Sequence, residues 1–324
     1  MVMKRAPTHV HGHSLSRLND LLRAQVDELG AISFTGTTLG GWSNLNLLAR
    51  SEKGMFVVKF PPFRIVYADH PYDYQYRILH ELNALDIAPE PIQMGRLEDA
   101  RHTPFLILNY LQGEVINSLN ELNWEKARLL DETLMLLNGS APAGLQTYST
   151  PDDYLAKKFG DVRSTISLLD TASPALEQLI TDLFSVEMEV KKALSLIEWS
   201  RVPMHGDLQE SNIIFKRSCA FLLDFEECCI GDPSYDICYM YLQSPSNSPT
   251  DIPKLPKFSR ISFDDIFAVV PLVLAVLVAW SIERLCYSEM DLVSPWLTSP
   301  KAFAAVMEYT REKIAMLKEF LADS

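Results

Sequence analysis

Two short apolar segments, separated by a polar turn, constrain this chain more than any other feature. The segments are 212–216 and 221–225, and together they read as the two strands of a β-hairpin. A hairpin of this length brings Asn212 and Asp224, which lie at its open end, close together. Asp207 lies five residues before Asn212, on the loop that enters the hairpin. The sequence therefore predicts two carboxylates and a carboxamide around one hairpin.

This set of side chains suits phosphoryl transfer assisted by Mg²⁺. Magnesium prefers oxygen ligands, usually one or two protein carboxylates with phosphates and waters, and Asn212 and Asp224 fit that preference. Asp207 can face a substrate hydroxyl and accept its proton. A lone His-Gly-Asp triplet is usually turn chemistry, but the following Asn and Asp favour the catalytic interpretation. His205 is either a proton donor or a buried residue that supports the loop.

The segment from His205 to Asp236 resembles the aminoglycoside phosphotransferase and choline kinase family, which are small-molecule relatives of the protein kinases. That family shows a His-Gly-Asp loop, an Asn five residues after the Asp, an Asp-Phe/Trp-Glu that closes the next strand, and then Gly-Asp-Pro-x-x-Asp. The corresponding residues here are 205–207, Asn212, 224–226 and 231–236.

The resemblance implies a role for each matching residue. Asp207 would be the catalytic aspartate, Asn212 and Asp224 the metal ligands, and Glu226 a further site residue. Asp236 would support the catalytic loop, with a helix N-cap as the alternative. The implied fold is α+β: a two-lobed protein-kinase-like fold, with a small N-lobe of mixed sheet and helix and a larger, mainly helical C-lobe.

Two upstream segments resemble the family less closely. The turn at 40–44 is similar to the phosphate-covering turn, in which glycines let backbone amides approach phosphate oxygens, so Gly41 and Ser43 would bind nucleotide. An ordinary hairpin turn is the alternative. Lys59, on a predicted strand at 54–60, resembles the lysine that contacts nucleotide phosphates. Its alternative is a lysine on the exposed face of an edge strand.

The segment 105–113 resembles the strand and hinge that join the lobes. The resemblance implies that the backbone at Asn109, Tyr110 and Leu111 binds the adenine edge. A buried strand that ends in a glycine turn fits the same residues.

One position departs from the family pattern. A glutamate on the helix after the lysine strand usually pairs with the lysine, but the predicted helix at 71–85 has Gln75 there. Gln75 can hydrogen-bond Lys59 without supplying a charge. Asp73 and Glu81 are nearby alternatives, so Lys59 is either held by another acid or makes a looser phosphate contact.

Length and helical spacing indicate two lobes, at 1–112 and 113–324. Residues 32–111 read as strands with one helix. Other apolar residues recur at helical spacing in the segments 14–29, 122–137, 152–169, 175–199, 236–242, 264–287 and 299–321. The uncharged run 266–282 is expected to be a buried helix, with a membrane span as the alternative.

Charge and cysteine content indicate which kinds of partner and which cellular compartment to expect. The net charge is −13 and no basic run occurs, which argues against a nucleic-acid partner and is compatible with a cationic substrate. The five cysteines are odd in number and form no Cys-x-x-Cys pair, which favours a reducing cytoplasm over a disulfide framework. No secretory signal is expected. His9, His11 and His13 are either solvated or a small metal cluster.

The expected function is an ATP-dependent, Mg²⁺-requiring transfer of the γ-phosphate to a hydroxyl of a small molecule. An aminoglycoside, a choline-like amino alcohol and a sugar are all open as acceptors, and the oligomeric state is open too. Glu226, Glu227 and Asp232 could bind a cationic acceptor, and Tyr239, Trp280, Tyr287 or Trp296 could cage a quaternary amine. The alternatives are a nucleotide-binding pseudokinase and a metal-dependent hydrolase that uses His205, Asp207 and Asp224.

Overall fold

The structure is a computed structural model, and it shows an antiparallel sheet followed by a mainly helical region. It describes residues 4–26, 29–39, 44–62, 67–292 and 300–323. The predicted α+β, two-lobed class is confirmed, because strands dominate the first third of the chain and helices the remainder.

The small lobe is built on a six-stranded antiparallel sheet. Its elements, with a separate β2–β3 hairpin, are β1 (Lys4–Arg5), β2 (His9–Val10), β3 (His13–Ser14), α1 (Leu15–Arg23), β4 (Ser33–Thr38), β5 (Leu45–Ser51), β6 (Gly54–Phe60), α2 (Asp73–Asn83), β7 (Pro91–Arg96) and β8 (Pro104–Asn109). The strand order is β1-β4-β5-β6-β8-β7. Strand β6, which carries Lys59, therefore lies inside the sheet and not at its edge.

The histidines near the start of the chain tie the β2–β3 hairpin to this lobe. His11 Nε2 lies 2.8 Å from the Pro61 carbonyl oxygen, and His13 Nε2 lies 3.0 Å from Asp99 Oδ2. The expectation that all three histidines are solvated is therefore wrong for these two. Their separate partners also leave no common metal position.

The large lobe contains eight helices and five short strands among the described residues. They are α3 (Trp124–Asn138), β9 (Gln146–Thr147), α4 (Pro151–Ile166), α5 (Pro174–Ser185), α6 (Glu187–Leu194), β10 (Val202–Met204), β11 (Ile213–Phe215), β12 (Ala220–Leu222), β13 (Cys229–Gly231), α7 (Pro233–Leu242), α8 (Phe263–Ala268), α9 (Val270–Glu289) and α10 (Pro300–Asp323).

Helix α9 is the centre of the large lobe. It packs against α4, α5, α7 and α10. It is the one helix among the described residues that is long and apolar enough to cross a membrane, yet 78% of its most apolar window is buried inside the protein. The structure thus has the predicted buried helix, apolar on all sides because neighbours cover all sides.

Three predicted helices differ from the observed ones at their ends. The segment 175–199 divides into α5 and α6 at Val186, and 264–287 divides into α8 and α9 at Val269. Pro271 is tolerated because it lies in the first turn of α9, where its missing N–H has no helical partner to lose. Helix α1 ends at Arg23 rather than near residue 29. The predicted lobe division at 112/113 follows β8 and stays a prediction.

Candidate active site

The predicted hairpin forms from β11 and β12, with Ile213 paired to Leu222 and Phe215 paired to Ala220. Its strands are shorter than predicted, because Asn212 ends a 3-10 turn and Asp224 lies beyond β12. The Leu223 N–H donates to the Asn212 carbonyl at 2.8 Å and closes the open end of the hairpin.

Asp224 itself has a left-handed backbone, with φ of 65°. Residues other than glycine adopt this conformation uncommonly, and such strain is often found at functional sites. The turn directs the Asp224 side chain toward the small lobe, where it contacts Lys59.

Asp207 is held by side chains on three sides. Asn212 Nδ2 donates to the Asp207 carbonyl oxygen at 3.0 Å and to its Oδ2 at 3.2 Å, and Gln209 Nε2 lies 3.3 Å from the same Oδ2. The Tyr239 hydroxyl also hydrogen-bonds this carboxylate. Burial and then the neighbouring Asp224 carboxylate raise the pKa of Asp207 well above its usual range. A raised carboxyl pKa suits a group that accepts a proton.

Lys59 is buried, with 3% of its surface exposed, and it contacts the large lobe. Its Nζ donates to Asp224 Oδ1 at 2.7 Å and to Gln75 Oε1 at 3.0 Å, while Gln75 Nε2 donates to the same Asp224 oxygen at 3.0 Å. The acid that holds Lys59 is thus Asp224, and Gln75 bridges the pair. Burial opposes ionisation of Asp224, but the Lys59 charge and these hydrogen bonds hold the pKa of Asp224 below its usual range.

The two other acids near Gln75 do not reach Lys59. Asp73 pairs with Arg77 on the outside of α2, and Glu81 accepts the Ala143 N–H. Neither acid replaces the family's glutamate.

His205 supports the loop and is not placed as a proton donor. It is fully buried, and its Nε2 lies 2.7 Å from the Leu223 carbonyl oxygen, which can only accept. Its Nδ1 therefore accepts the Asp207 N–H at 3.3 Å. Burial lowers the pKa of His205 to about 4, so the ring is neutral.

Asp236 braces the same loop from α7. Its two oxygens accept the His205 N–H at 2.7 Å and the Gly206 N–H at 2.8 Å. The N-cap alternative is wrong, because Asp232 caps α7 by accepting the Ser234 N–H at 2.9 Å. Gly206 has φ of 78°, and a Cβ there would collide with the Glu227 carbonyl, so the loop requires glycine.

Glu226 takes part in a second contact between the lobes. Asn44 Nδ2 donates to Glu226 Oε2 at 2.9 Å, and the Tyr72 hydroxyl donates to Asn44 Oδ1 at 2.8 Å. Burial and the Asp224 carboxylate raise the pKa of Glu226 to about 7. From the sequence, Asn44 is predicted only as part of the turn at 40–44, and no local pattern marks Tyr72 as a site residue.

The other acids proposed for acceptor binding are already engaged. Glu227 forms an ion pair with Lys158 of α4, and Asp232 accepts from Ser200 as well as from Ser234. Among the proposed cage aromatics, Tyr239 contacts Asp207, and the ring of Trp280 lies under Arg284 with its centroid 5.4 Å from the guanidinium carbon. The Tyr287 hydroxyl lies 3.5 Å from Thr165 Oγ1, and Trp296 lies outside the described residues.

The predicted hinge follows β8 directly. The Asn109 N–H donates to the Glu90 carbonyl at 2.9 Å, and the Tyr110 N–H donates to the Met55 carbonyl at 3.1 Å. These two amides are engaged within the protein, so Leu111 is the hinge amide to test for adenine binding. Gly41 and Ser43 lie outside the described residues, and their predicted nucleotide contacts stay a prediction.

The donor set around Asp224 suits magnesium. Lys59 and Gln75 both use Oδ1 of Asp224, and Asn212 directs its amide nitrogen to Asp207, so Oδ2 of Asp224 and Oδ1 of Asn212 are the oxygens to consider. Across the described ranges, no three His, Cys, Asp or Glu side chains gather around one metal position. Two oxygen donors completed by phosphates and waters are the usual protein share of a nucleotide-bound Mg²⁺.

Solved structures with the same fold include several kinases that act on small molecules. Choline kinase LicA from Streptococcus pneumoniae is 17% identical, with a TM-score of 0.62 over 95% of this chain and 99% of that one. A choline/ethanolamine kinase family protein from Mesorhizobium loti is 14% identical, with a TM-score of 0.54 over 94% and 99%. Spectinomycin phosphotransferase APH(9)-Ia, solved with ADP and spectinomycin, is 12% identical, with a TM-score of 0.57 over 94% and 98%.

The sequence comparisons identify the family. No curated protein matches the chain in sequence. The family described as "Phosphotransferase enzyme family" (APH) matches residues 37–257, which include Lys59, the hairpin and Asp236. Because this match covers more than half of the chain, the protein belongs to the APH phosphotransferase enzyme family.

Proposed function

We propose that this protein transfers the γ-phosphate of ATP to a hydroxyl group of a small molecule, with Mg²⁺ as the metal. The observation that carries the proposal is the Lys59–Asp224 ion pair of 2.7 Å, which joins the lobes beside Asp207 and Asn212. A lysine and a carboxylate that meet where the two lobes join are the parts that phosphoryl transfer needs to hold a triphosphate and its metal.

Each residue has a role that its contacts support. Asp207 would orient the acceptor hydroxyl and hold its proton, while Asn212 and Tyr239 fix the position of its carboxylate. Asn212 and Asp224 would hold the metal, which supplies neutralisation of phosphate charge when it is bound. Lys59 would bind phosphate oxygens from the opposite lobe. Such catalysis depends mostly on positioning and charge, so few residues suffice.

The two alternative functions find less support. A hydrolase that uses His205 as a metal ligand needs a ring nitrogen with a free lone pair, but both nitrogens of His205 are engaged by the backbone. A pseudokinase would be favoured if Gln75 left Lys59 without a charged partner. Asp224 supplies the charge that Gln75 lacks and holds Lys59 in place. The presence of Gln75 is therefore only weak support for a pseudokinase.

Among the open acceptors, we propose a small alcohol with at most one positive charge. A polycationic aminoglycoside needs several free carboxylates, but Glu226, Glu227 and Asp232 are already bound by Asn44, Lys158 and two serines. Displacing these partners would leave the buried donors of Asn44 and Ser234 unsatisfied, which costs about 1–3 kcal/mol each. Choline-like amino alcohols and sugars carry at most one positive charge and do not need several free carboxylates.

The experiment is an ADP-release assay with the wild-type protein and MgATP. The acceptor panel contains amino alcohols, sugars and aminoglycosides at equal concentration, with an acceptor-free control for basal hydrolysis. We expect acceptor-dependent ADP release with a singly charged or neutral alcohol. Nucleotide binding without any acceptor-dependent release would favour the pseudokinase, and phosphatase activity without nucleotide affinity would favour the hydrolase.

We also propose a cytoplasmic location. All five cysteines are free thiols in the structure, and four of them are buried. Free thiols without disulfides are typical of a reducing compartment. Fractionation of the native host with compartment markers tests this proposal.

A further inference from the structure

A chain of three polar side chains, two of them buried and the third half-buried, joins the lobes beside the Lys59–Asp224 pair. Tyr72 lies just before α2 with 2% of its surface exposed, and Asn44 lies just before β5 with 4% exposed. The Tyr72 hydroxyl donates to Asn44 Oδ1 at 2.8 Å, and Asn44 Nδ2 donates to Glu226 Oε2 at 2.9 Å. We name this Tyr72–Asn44–Glu226 chain the relay.

The direction of the hydrogen bonds in the relay is fixed by its chemistry. A carboxamide has one accepting and one donating end. The Glu226 carboxylate accepts a hydrogen bond, so the NH₂ group of Asn44 must face it. The amide oxygen of Asn44 is then left to accept from the Tyr72 hydroxyl. Glu226 therefore selects the orientation of the Asn44 amide, and the Tyr72 hydroxyl, which can donate or accept, stabilises that orientation by donating to the amide oxygen. A buried polar group that loses such a partner is costly, so the relay favours one relative position of the lobes.

Both ends of the relay lie next to the proposed phosphate-binding groups. Glu226 follows Asp224 by two residues in the turn after β12. The centroid of the Tyr72 ring lies 5.9 Å from Lys59 Nζ. The relay and the ion pair are thus two adjacent connections between the same pair of lobes. One joins β6 to Asp224, and the other joins β5 and the start of α2 to Glu226.

We propose that Tyr72 and Asn44 are positioning residues that align the small lobe on Glu226 and thereby keep Lys59 opposite Asp224. The proposal rests on the proposed kinase function. Neither residue needs to touch the acceptor. Their loss should therefore change nucleotide affinity and kcat while leaving the KM for the acceptor unchanged.

A swap of the hydrogen-bonding groups tests the relay directly. Asn44→Asp places a carboxylate against Glu226 and removes the donor, so we expect the Kd for MgATP to rise about tenfold or more, as for a buried hydrogen bond that is lost. Asn44→Asp combined with Glu226→Gln restores a donor–acceptor pair in the reverse direction and keeps the net charge. We expect the double variant to recover a Kd within about threefold of wild type, which is the coupling expected of residues in contact.

Two tyrosine variants separate the hydroxyl from the ring. Tyr72→Phe removes the bond to Asn44 but keeps the ring near Lys59, and we expect a rise of about threefold to tenfold in the Kd for MgATP. Tyr76→Phe is the matched control from the first turn of α2, because the ring of Tyr76 contacts His80 and the substitution keeps its backbone N–H bond to the Tyr72 carbonyl. It should behave as wild type.

Different measurements would contradict the relay and the proposed function. If the wild-type protein binds no nucleotide, the kinase proposal fails. The relay is then read from amide hydrogen exchange, which should accelerate at 225–228 in Asn44→Asp and return to the wild-type rate in the double variant. A double variant that is folded but no better than Asn44→Asp in both measurements would overturn the relay. Equal decreases in melting temperature together with equal changes in the acceptor KM in all variants would also overturn the relay, because they indicate a merely structural role.

Discussion

The two halves of the site are built in different ways. The large-lobe half, from His205 to Asp236, is one continuous segment whose parts contact each other across at most 31 positions in sequence. The small-lobe half brings Lys59 to Asp224, and these residues are 165 positions apart in sequence. The geometry of the catalytic loop is therefore set within one segment of the chain, whereas the position of Lys59 depends on how the two lobes pack together.

The largest effect should come from the large-lobe half. Asp207→Asn keeps the shape of the side chain but removes the proton acceptor, so we expect acceptor phosphorylation to fall by about 10²–10⁴-fold. The Kd for MgATP should stay close to the wild-type value, because Asp207 is not among the nucleotide-binding residues. Steady-state ADP release and a fluorescent-nucleotide titration measure the two quantities. Full activity of this variant would reject the assignment of Asp207.

The stability of the loop should depend on pH through His205. Its pKa is about 4 when folded and about 6.5 when unfolded, so the unfolded chain binds more protons between these values. The contribution to the free energy of unfolding is complete above pH 6.5 and decreases as the pH falls toward 4, by roughly 3 kcal/mol in total. Urea unfolding of wild type and His205→Gln between pH 7 and 5 should give a difference curve with this slope. A flat difference curve would show that His205 is not a buried neutral ring.

Substitution in the small-lobe half of the site should mainly weaken the use of nucleotide. Lys59→Met leaves the Asp224 carboxylate without its charged partner and removes a phosphate contact. We expect kcat/KM for ATP to fall about 10- to 100-fold, the range for one lost charge-assisted hydrogen bond. The double variant with Asp224→Asn should lose less than the sum of the two single losses, because the residues are in contact. Strict additivity would mean that the pair does not act as a unit.

The smallest expected effect concerns Gln75, the position at which this chain departs from the family pattern. Gln75→Glu restores the family's usual residue, but here it removes the Nε2 donor to Asp224 and places a second carboxylate beside it. We therefore expect a loss of about threefold to tenfold in kcat/KM for ATP, in the range of one hydrogen bond. Gln75→Ala is the control that removes the donor without adding charge. A gain of activity in Gln75→Glu would show that Lys59 needs the glutamate after all.

The sequence predicted the hairpin because its signals are local. Two short apolar segments and a polar turn specify β11 and β12, and the placement of Asn212 and Asp224 at the open end follows from them. The predicted strands extend through Asn212 and Asp224, whereas in the structure Asp224 adopts a left-handed backbone and its side chain contacts Lys59 and Gln75 of the other lobe. The break at Val186 has no glycine or proline beside it, whereas Pro271 marks the break at Val269 from two residues away.

What the sequence determined by itself is the chemistry of the loop: which carboxylates and carboxamide stand together, and the family to which their spacing corresponds. Tertiary structure decided which acid holds Lys59, why His205 is neutral, and that Asn44 and Tyr72 join the lobes. The physical reason is distance along the chain. Hydrogen bonds between near neighbours are dictated by local backbone geometry, whereas a buried ion pair between distant residues forms only when packing of the two lobes removes both groups from water.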